Sequence, residues 1–325
     1  MRVFRRALLA ALSAIVLTLS VTSCSDSGDG STVRFGYIGD YNGVSLLAIA
    51  NEQGLWAEEG LTPELKVFTN GPLQIQALGA GDLDFGYIGP GAFWLPASGQ
   101  SKIVAINTLT FADRVIAQPG IDSVADLKGR RVGVPEGTSG DMVLNLALRE
   151  AGMSQDDVEK VPMDPATVVS AFVSGQIDAA GIWYPLIGTS IKPKVPDLVE
   201  VASTRDFADS SFPTAFVGGR QVDDELTRKV LAVLRKANDW RVEHPDETIG
   251  LSAKMLKIDE ETVRADAANV ETMTTNDLVA GTEDGTVDGW LNGLADFFVS
   301  TGQLESTPDP ASYYTGDLYT EASGT

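Results

Sequence analysis

The segments FGYIGDYNGVSL (35–46) and FGYIGPGAFWLP (85–96) open on the same five letters, fifty residues apart, and each continues into a Gly-containing turn. The runs that end in these letters, VRFGYI (33–38) and LDFGYI (83–88), are rich in aromatic and β-branched residues and predict strands. Each leads into a stretch that predicts a helix. If both strands are parallel members of one sheet, their carboxyl ends and turns share one edge. Open α/β sheets bind ligands outside that edge, where loops meet helix N-termini. Gly39, Gly89 and Gly91 would let backbone approach a ligand closely. Strands reuse such residues freely, and the echo by itself does not establish duplication.

Strands are also predicted at ELKVF (64–68) and IVAINTLT (103–110). Between them GVSLLAIANEQGLWAEEG (43–60) carries apolar residues at helical spacing and predicts one helix that stops at Gly60. A second series comes next: RVGV (131–134), a helix near 139–151, VEKVP (158–162), a helix near 165–174, and DAAGIW (178–183). Alternation of this density predicts an α/β fold with parallel-rich sheets flanked by helices. After Phe216 the chain turns helical, with helices expected at 222–244, 246–256, 259–270 and 285–300. The polar tail beyond Thr307 reads as a wrap or a loose end.

The N-terminus reads MRVFRRALLAALSAIVLTLSVTSC: Arg2, Arg5 and Arg6, an apolar run from Ala7 to Leu19, then small residues ending at Cys24. That is the layout of an export signal over 1–23. Val21-Thr22-Ser23-Cys24 is similar to a bacterial lipobox, which makes Cys24 the lipidation site at the head of a flexible linker, 24–31. Cys24 is the only cysteine in the chain, so no intrachain disulfide can form. The expected location is the outer face of the cell membrane, or the periplasm, held by one lipid-bearing residue. Loss of the three signal arginines takes the formal charge from −21 to −24. Such a chain binds neither nucleic acid nor an anionic bilayer through its surface.

Catalytic groups are scarce. His244 is the sole histidine, and the sole cysteine is spent on the anchor, so Cys–His and Ser–His chemistry find no support. No HExxH, Cys cluster or EF-hand spacing indicates a metal, and no cofactor motif survives: GPGAFW (89–94) puts Trp94 where a dinucleotide fingerprint needs its third glycine. Binding chemistry is concentrated in RRVGVPEGTSGDMVLNLALREAG (130–152), a strand, a turn and a helix that Thr138 or Ser139 can cap. Unpaired N–H groups at such a helix start make a neutral anion site. An ordinary cap accounts for the same residues.

Several segments together resemble the ABC-transporter substrate-binding proteins of the aliphatic sulfonate, taurine and nitrate (NMT1-like) group. They are ANEQGLWAEEGL (50–61), ALGAGDLDFGYIG (77–89), SVADLKGRRVGVPEGTSG (123–140) and AFVSGQIDAAGIWYP (171–185), and the likeness spans nearly all of 32–300. The resemblance implies a type II periplasmic-binding-protein fold, with two lobes closing on one small ligand in the cleft between them. Lobe 1 would comprise 32–115 and 216–325, and lobe 2 would comprise 116–215, with crossings near Ala117–Gly120 and Phe212–Phe216. It implies delivery of the ligand to a membrane permease driven by a cytoplasmic ATPase.

By the same likeness the ligand-binding residues are Asp40, Tyr41 and Asn42 after the first strand, and Thr69 and Asn70 after the second. Gly89, Pro90 and Gly91 come after the third strand. Thr138, Ser139 and Gly140 form the helix start, and Trp183 and Tyr184 form an aromatic wall. The ligand is expected to be an organosulfonate such as an alkanesulfonate or taurine, with nitrate, another small oxyanion or a pyrimidine-type thiamine precursor as alternatives. Tyr41, Phe93, Trp94, Trp183 and Tyr184 suggest room for an organic tail. Asp40 and Asp141 sit awkwardly beside an anion. If either reaches the cleft, the ligand should carry a cationic end, as taurine does. Enzymes of thiamine-pyrimidine synthesis share the fold but need His and Cys chemistry. LysR-type sensors need a DNA-binding head where this chain has an export signal.

Overall fold

A computed structural model describes residues 31–321; the expected export signal, Cys24 and most of the expected linker lie outside the described residues, as do 322–325. The echoed strands β1 (Ser31–Ile38) and β3 (Phe85–Ile88) are parallel neighbours, and Phe35 stands directly opposite Phe85. The two rings stack with centroids 5.8 Å apart, and Phe216 meets Phe35 edge-on at 5.7 Å. At the entry to β3 the Asp84 carboxylate accepts from the Arg34 backbone N–H (2.8 Å) and from its Nε (3.0 Å), which pins the register outside the core. Both FGYIG turns therefore do emerge at one edge.

On the other side of β1 lies β2 (Leu61–Phe68). Helix α1 (Tyr41–Glu52) and the single turn α2 (Leu55–Glu58) connect β1 to β2, and α3 (Gly71–Ala80) connects β2 to β3. The single helix expected over 43–60 is thus broken. Gly54 adopts a left-handed φ of 72°, which ends α1 and turns the chain before Leu55. A 3₁₀ turn, Pro90–Ala92, and α4 (Trp94–Ala97) lead to β4 (Lys102–Thr110).

After two residues the chain enters a second sheet as β5 (Asp113–Ala117). This sheet adds β6 (Arg131–Val134), β7 (Glu159–Pro162), β8 (Ala179–Trp183) and β9 (Val199–Ser203), in the order β7-β6-β8-β5-β9. Helices α5 (Ser139–Glu150) and α6 (Pro165–Val173) pack on it. The chain then returns as β10 (Pro213–Gly218), which slots between β3 and β4 to give β11-β4-β10-β3-β1-β2. The outward crossing occupies Phe111–Ala112, several residues earlier than the Ala117–Gly120 expected, because β5 already belongs to the second sheet. Both sheets are mixed. The strands flanking the crossings, β5 and β10, run antiparallel to their neighbours, since neither arrives through the crossover helix that a parallel pairing needs.

The remainder is helical: α7 (Asp224–Glu243), α8 (Pro245–Leu256), α9 (Glu260–Ala267), α10 (Thr275–Glu283), α11 (Thr286–Ser300) and α12 (Gly316–Glu321). The helix expected over 259–270 stops at Ala267, and Val270–Thr272 forms edge strand β11 against β4. The tail is a wrap. Tyr314 bridges Ile103 in parallel fashion, the Ile103 N–H donates to the Tyr313 carbonyl (2.8 Å), and Tyr313 and Tyr319 are buried. Among the described residues no helix is long and apolar enough to cross a membrane.

Helix α1 is enclosed on all sides: every residue from Tyr41 to Ala50 is buried, among β1, α7 and α8. Its polar members are satisfied from inside. Arg241 on α7, 1% exposed, donates from its guanidinium to Ser45 Oγ (3.1 Å), Asn107 Oδ1 (2.9 Å) and Asn238 Oδ1 (2.6 Å). Burial lowers its pKa to about 10, which still leaves it charged at neutral pH. Phe85→Ala should cost about 3–5 kcal/mol in urea unfolding, because the rings packed beside it cannot fill the space left.

Candidate functional site

Four loops of the first sheet and three segments of the second surround a small cavity. Asp40 ends the turn after β1 and caps α1, its Oδ1 accepting from the Gly43 N–H at 2.6 Å. Asn42 comes next on α1, its Oδ1 accepting from Thr108 Oγ1 (2.7 Å), which also contacts Thr214 Oγ1 (2.8 Å). Asn70 caps α3 in the same manner, through Leu73 N–H at 3.0 Å. Buried Gln74 clamps the Tyr87 backbone from both sides, donating to its carbonyl (2.6 Å) and accepting from its N–H (2.9 Å). That holds the end of β3, and the Gly89–Pro90 turn beyond it, at the rim.

From the second sheet come Asp113 at the start of β5, Thr138 and Ser139 at the start of α5, and Trp183 with Tyr184 at the end of β8. Thr138 is the N-cap by position, but its hydroxyl donates to the Pro135 carbonyl (2.6 Å) rather than capping. Tyr184 is fixed by its hydroxyl, which donates to Glu200 Oε1 (2.8 Å) and accepts from Lys192 Nζ (2.6 Å).

Of the thirteen expected residues, Asp40, Asn42, Asn70, Gly89, Pro90, Thr138, Ser139, Trp183 and Tyr184 line the cavity, and four do not. Tyr41 turns away to pack with Ile249, Ala253 and Val263. Thr69 is exposed on the outer side of its loop. Gly140 is pressed against β8, where an added Cβ would lie 2.4 Å from the Gly181 carbonyl oxygen. Gly91 lies beside the cavity, at a close contact between the two halves. Its N–H donates to Ser139 Oγ (3.3 Å), and a Cβ built on it would fall 2.2 Å from the Ser139 nitrogen. Trp94 Nε1 adds a second tie, to the Gly137 carbonyl (3.3 Å). Phe93 is core.

Sequence reasoning missed Tyr87, Thr110, Thr214 and Asp113, all of which line the cavity. They sit within or at the ends of strands buried on both faces, where neither a turn nor an alternation marks them. The cavity measures about 40 Å³.

No Lys or Arg lines the cavity. Of the two doubtful carboxylates, Asp141 is turned away, accepting from the Gly137 N–H (3.1 Å) and pairing with Lys160 (3.3 Å). Asp40 does face in, joined by Asp113. Burial pushes the Asp113 carboxyl up to about 7, the adjacent Arg114 charge opposing this and Asp266 adding to it. Asp40 is also raised, by burial first and then by Asp266, which accepts the Tyr41 N–H (2.7 Å) just behind it and is itself pushed by burial to about 6.

With this geometry in view, comparison with known proteins becomes informative. The NMT1/THI5-like family description matches residues 43–248. The chain belongs to that family. A relative from Brucella abortus (strain 2308), provisionally named a binding protein, is 54% identical over 311 residues, covering 94% of this chain and 97% of its own. A Bacillus subtilis (strain 168) relative, provisionally named an aliphatic sulfonates-binding protein, is 28% identical over 290 residues, with 85% of each chain covered. Among solved structures, the alkanesulfonate-binding protein SsuA from Xanthomonas axonopodis pv. citri bound to MOPS superposes with a TM-score of 0.66. It is 21% identical and covers 87% of this chain and 98% of its own. The fold of this NMT1/THI5-like chain is thus the two-lobed periplasmic-binding-protein fold.

Two consequences can be measured. Because the folded pKa of Asp113 is raised, its contribution is fully present below the ordinary carboxyl range and is lost as pH climbs through about 7. Asp113→Asn should therefore be neutral near pH 4 and stabilising, by roughly 3 kcal/mol, near pH 8 in the ligand-free protein, read from paired urea unfolding curves. Gly91→Ala should keep the halves apart. Solution scattering should then give a larger radius of gyration than the wild type, and ligand affinity should fall about tenfold or more.

Proposed function

We propose that this protein is the extracytoplasmic solute-binding component of an ABC importer. It captures a small organosulfonate, an alkanesulfonate or taurine, and presents it to a membrane permease powered by a cytoplasmic ATPase. A lipid on Cys24 tethers it to the outer face of the membrane. The observation that carries the reading is the polar cavity between the two sheets, into which the start of α5 opens through Thr138 and Ser139. Unpaired N–H groups at a helix start favour an anionic group without a lysine or arginine. The Bacillus relative's name points to the same ligand class.

Capture arises from the two crossings. Lobes divided at Phe111–Ala112 and at the return before Pro213 pivot on a few residues, and a ligand that bridges them favours the closed state. Closing expels water, so each hydrogen bond from Asn42, Asn70, Thr138 or Ser139 acts in a lower dielectric. A permease that docks on both lobes then distinguishes loaded from empty protein by their relative orientation. Bare nitrate fits less well, since Asp40 and Asp113 face into the same space. A pyrimidine-type ligand is the second reading, favoured by the flat walls of Tyr87, Trp183 and Tyr184 beside those carboxyls.

Thermal unfolding against taurine, short alkanesulfonates, nitrate, sulfate and a hydroxymethylpyrimidine decides among these. A ligand at about 100 times its Kd should add about 2.7 kcal/mol of stability. A rise with a sulfonate that disappears in Ser139→Glu is the expected result. A shift with the pyrimidine alone would remove the sulfonate reading and leave solute capture in place.

A further inference from the structure

The cavity contains acid without a counter-charge. Asp113 is 2% exposed, lines the cavity, and makes no hydrogen bond from its carboxylate to any other described residue. The nearest cation in sequence, Arg114, points out of the opposite face of β5. It donates from Nε to Glu200 (2.8 Å) and reaches the Asn269 side chain (2.9 Å). Asp40, 7% exposed, spends one oxygen on the Gly43 N–H. Behind it Asp266 spends one oxygen on the Tyr41 N–H, and its other oxygen, Oδ1, is buried with no partner. Tyr87 also faces this group, and the buried guanidinium of Arg241 beneath α1 is committed to Ser45, Asn107 and Asn238.

Three carboxyls thus crowd the start of one helix whose dipole is equivalent to roughly half a positive charge. They cannot all be ionised in a dry cleft, so the empty protein holds at least one proton among them. A protonated nitrogen is the group that completes such a site. It brings the missing charge, and it brings several N–H donors for oxygens that have no partner.

Building on the capture reading above, we propose that the ligand enters nitrogen-first, its ammonium, amidinium or protonated aminopyrimidine group held between Asp113 and Asp40, and that its entry expels the proton shared by Asp40, Asp113 and Asp266. For an ammonium or amidinium the balance is simple: the ligand keeps its own proton, a carboxylic acid becomes a carboxylate, and one proton leaves to solvent; an aminopyrimidine, neutral in free solution, takes that proton onto its ring instead. Asp113 is then the specificity-determining residue. It sits one residue beyond the crossing, so the charge that selects the ligand also acts at the pivot.

The opposite possibility is distinct and testable: a neutral Asp113 could donate its O–H to an anion. The two differ in the sign of their pH dependence. Titration calorimetry with taurine, ethanesulfonate and a hydroxymethyl-aminopyrimidine, at about pH 6 and about pH 8 in two buffers of different ionisation heat, separates them. Taurine should bind at least tenfold tighter than ethanesulfonate, and its affinity should rise about tenfold between the two pH values. Proton release should show at the lower pH as a heat that depends on the buffer. Asp113→Asn should weaken taurine at least thirtyfold while melting cooperatively. Asp266→Asn, which removes a carboxyl that touches no ligand, should flatten the pH dependence and spare binding near pH 8.

Ethanesulfonate binding as tightly as taurine, or affinity falling with pH and undiminished in Asp113→Asn, would overturn the inference and leave sulfonate capture standing. Binding of the aminopyrimidine alone, without net proton release and lost in Asp113→Asn, would keep it and remove the sulfonate reading. Silence from all three compounds would count against both.

Discussion

Phe35 lying flat against Phe85 sets the level at which two parallel strands end. Everything at the cleft inherits that alignment. A slip of one residue would rotate Tyr87 from the cavity to the far face and bring Gly86 into its place. It would also carry the Gly89–Pro90 turn out of reach of α5. The constraint is reinforced from both sides: Asp84 holds the Arg34 backbone at the strand entry, and Gln74 brackets Tyr87 at the exit. Apolar stacking supplies the energy, while the polar contacts supply the register, because hydrogen bonds tolerate little displacement and ring contacts tolerate more.

The interior behind the cleft is polar to an unusual degree. Arg241, Asn107, Asn238, Ser45 and the Thr108–Thr214 pair form a continuous buried set beneath α1. Such sets stabilise only when nearly complete, and among the described residues Arg241 Nε within it and Asp266 Oδ1 beside α1 are buried without a partner. One lies directly behind the cavity-lining Asp40. Incomplete satisfaction beside a cleft is where a fold retains free energy that a ligand can recover.

Legibility tracked the chemistry of chain turns. Thr138 and Ser139 could be read from the residues themselves, because capping demands particular side chains at a helix start; Asp40, Asn42 and Asn70 entered only through the family likeness of the loops that carry them. Tyr41 was not placed correctly, since a helix start says nothing about which way the next side chain rotates. Asp113, Thr110 and Thr214 were invisible because a strand buried on both faces has no alternation to break. The same limit concealed β5 and β10, the strands that carry the chain between sheets. The break at Gly54 was legible as a glycine but not as an end, since the apolar spacing runs on through Leu55 and Trp56 in the same phase.

Gly91 gives the closed state a particular mechanical character. The Gly91 backbone packs directly against the Thr138–Ser139 backbone there, with the Ser139 hydroxyl and the Trp94 ring at its edge. Contacts made through long side chains soften gradually as surfaces separate, because each chain can track its partner for an ångström or more. A backbone contact has no such compliance: it is made or it is broken. If the lobes close on a ligand as proposed, a seam built in this way passes between two positions with few stable stops in between, and signals occupancy as a step rather than a slope.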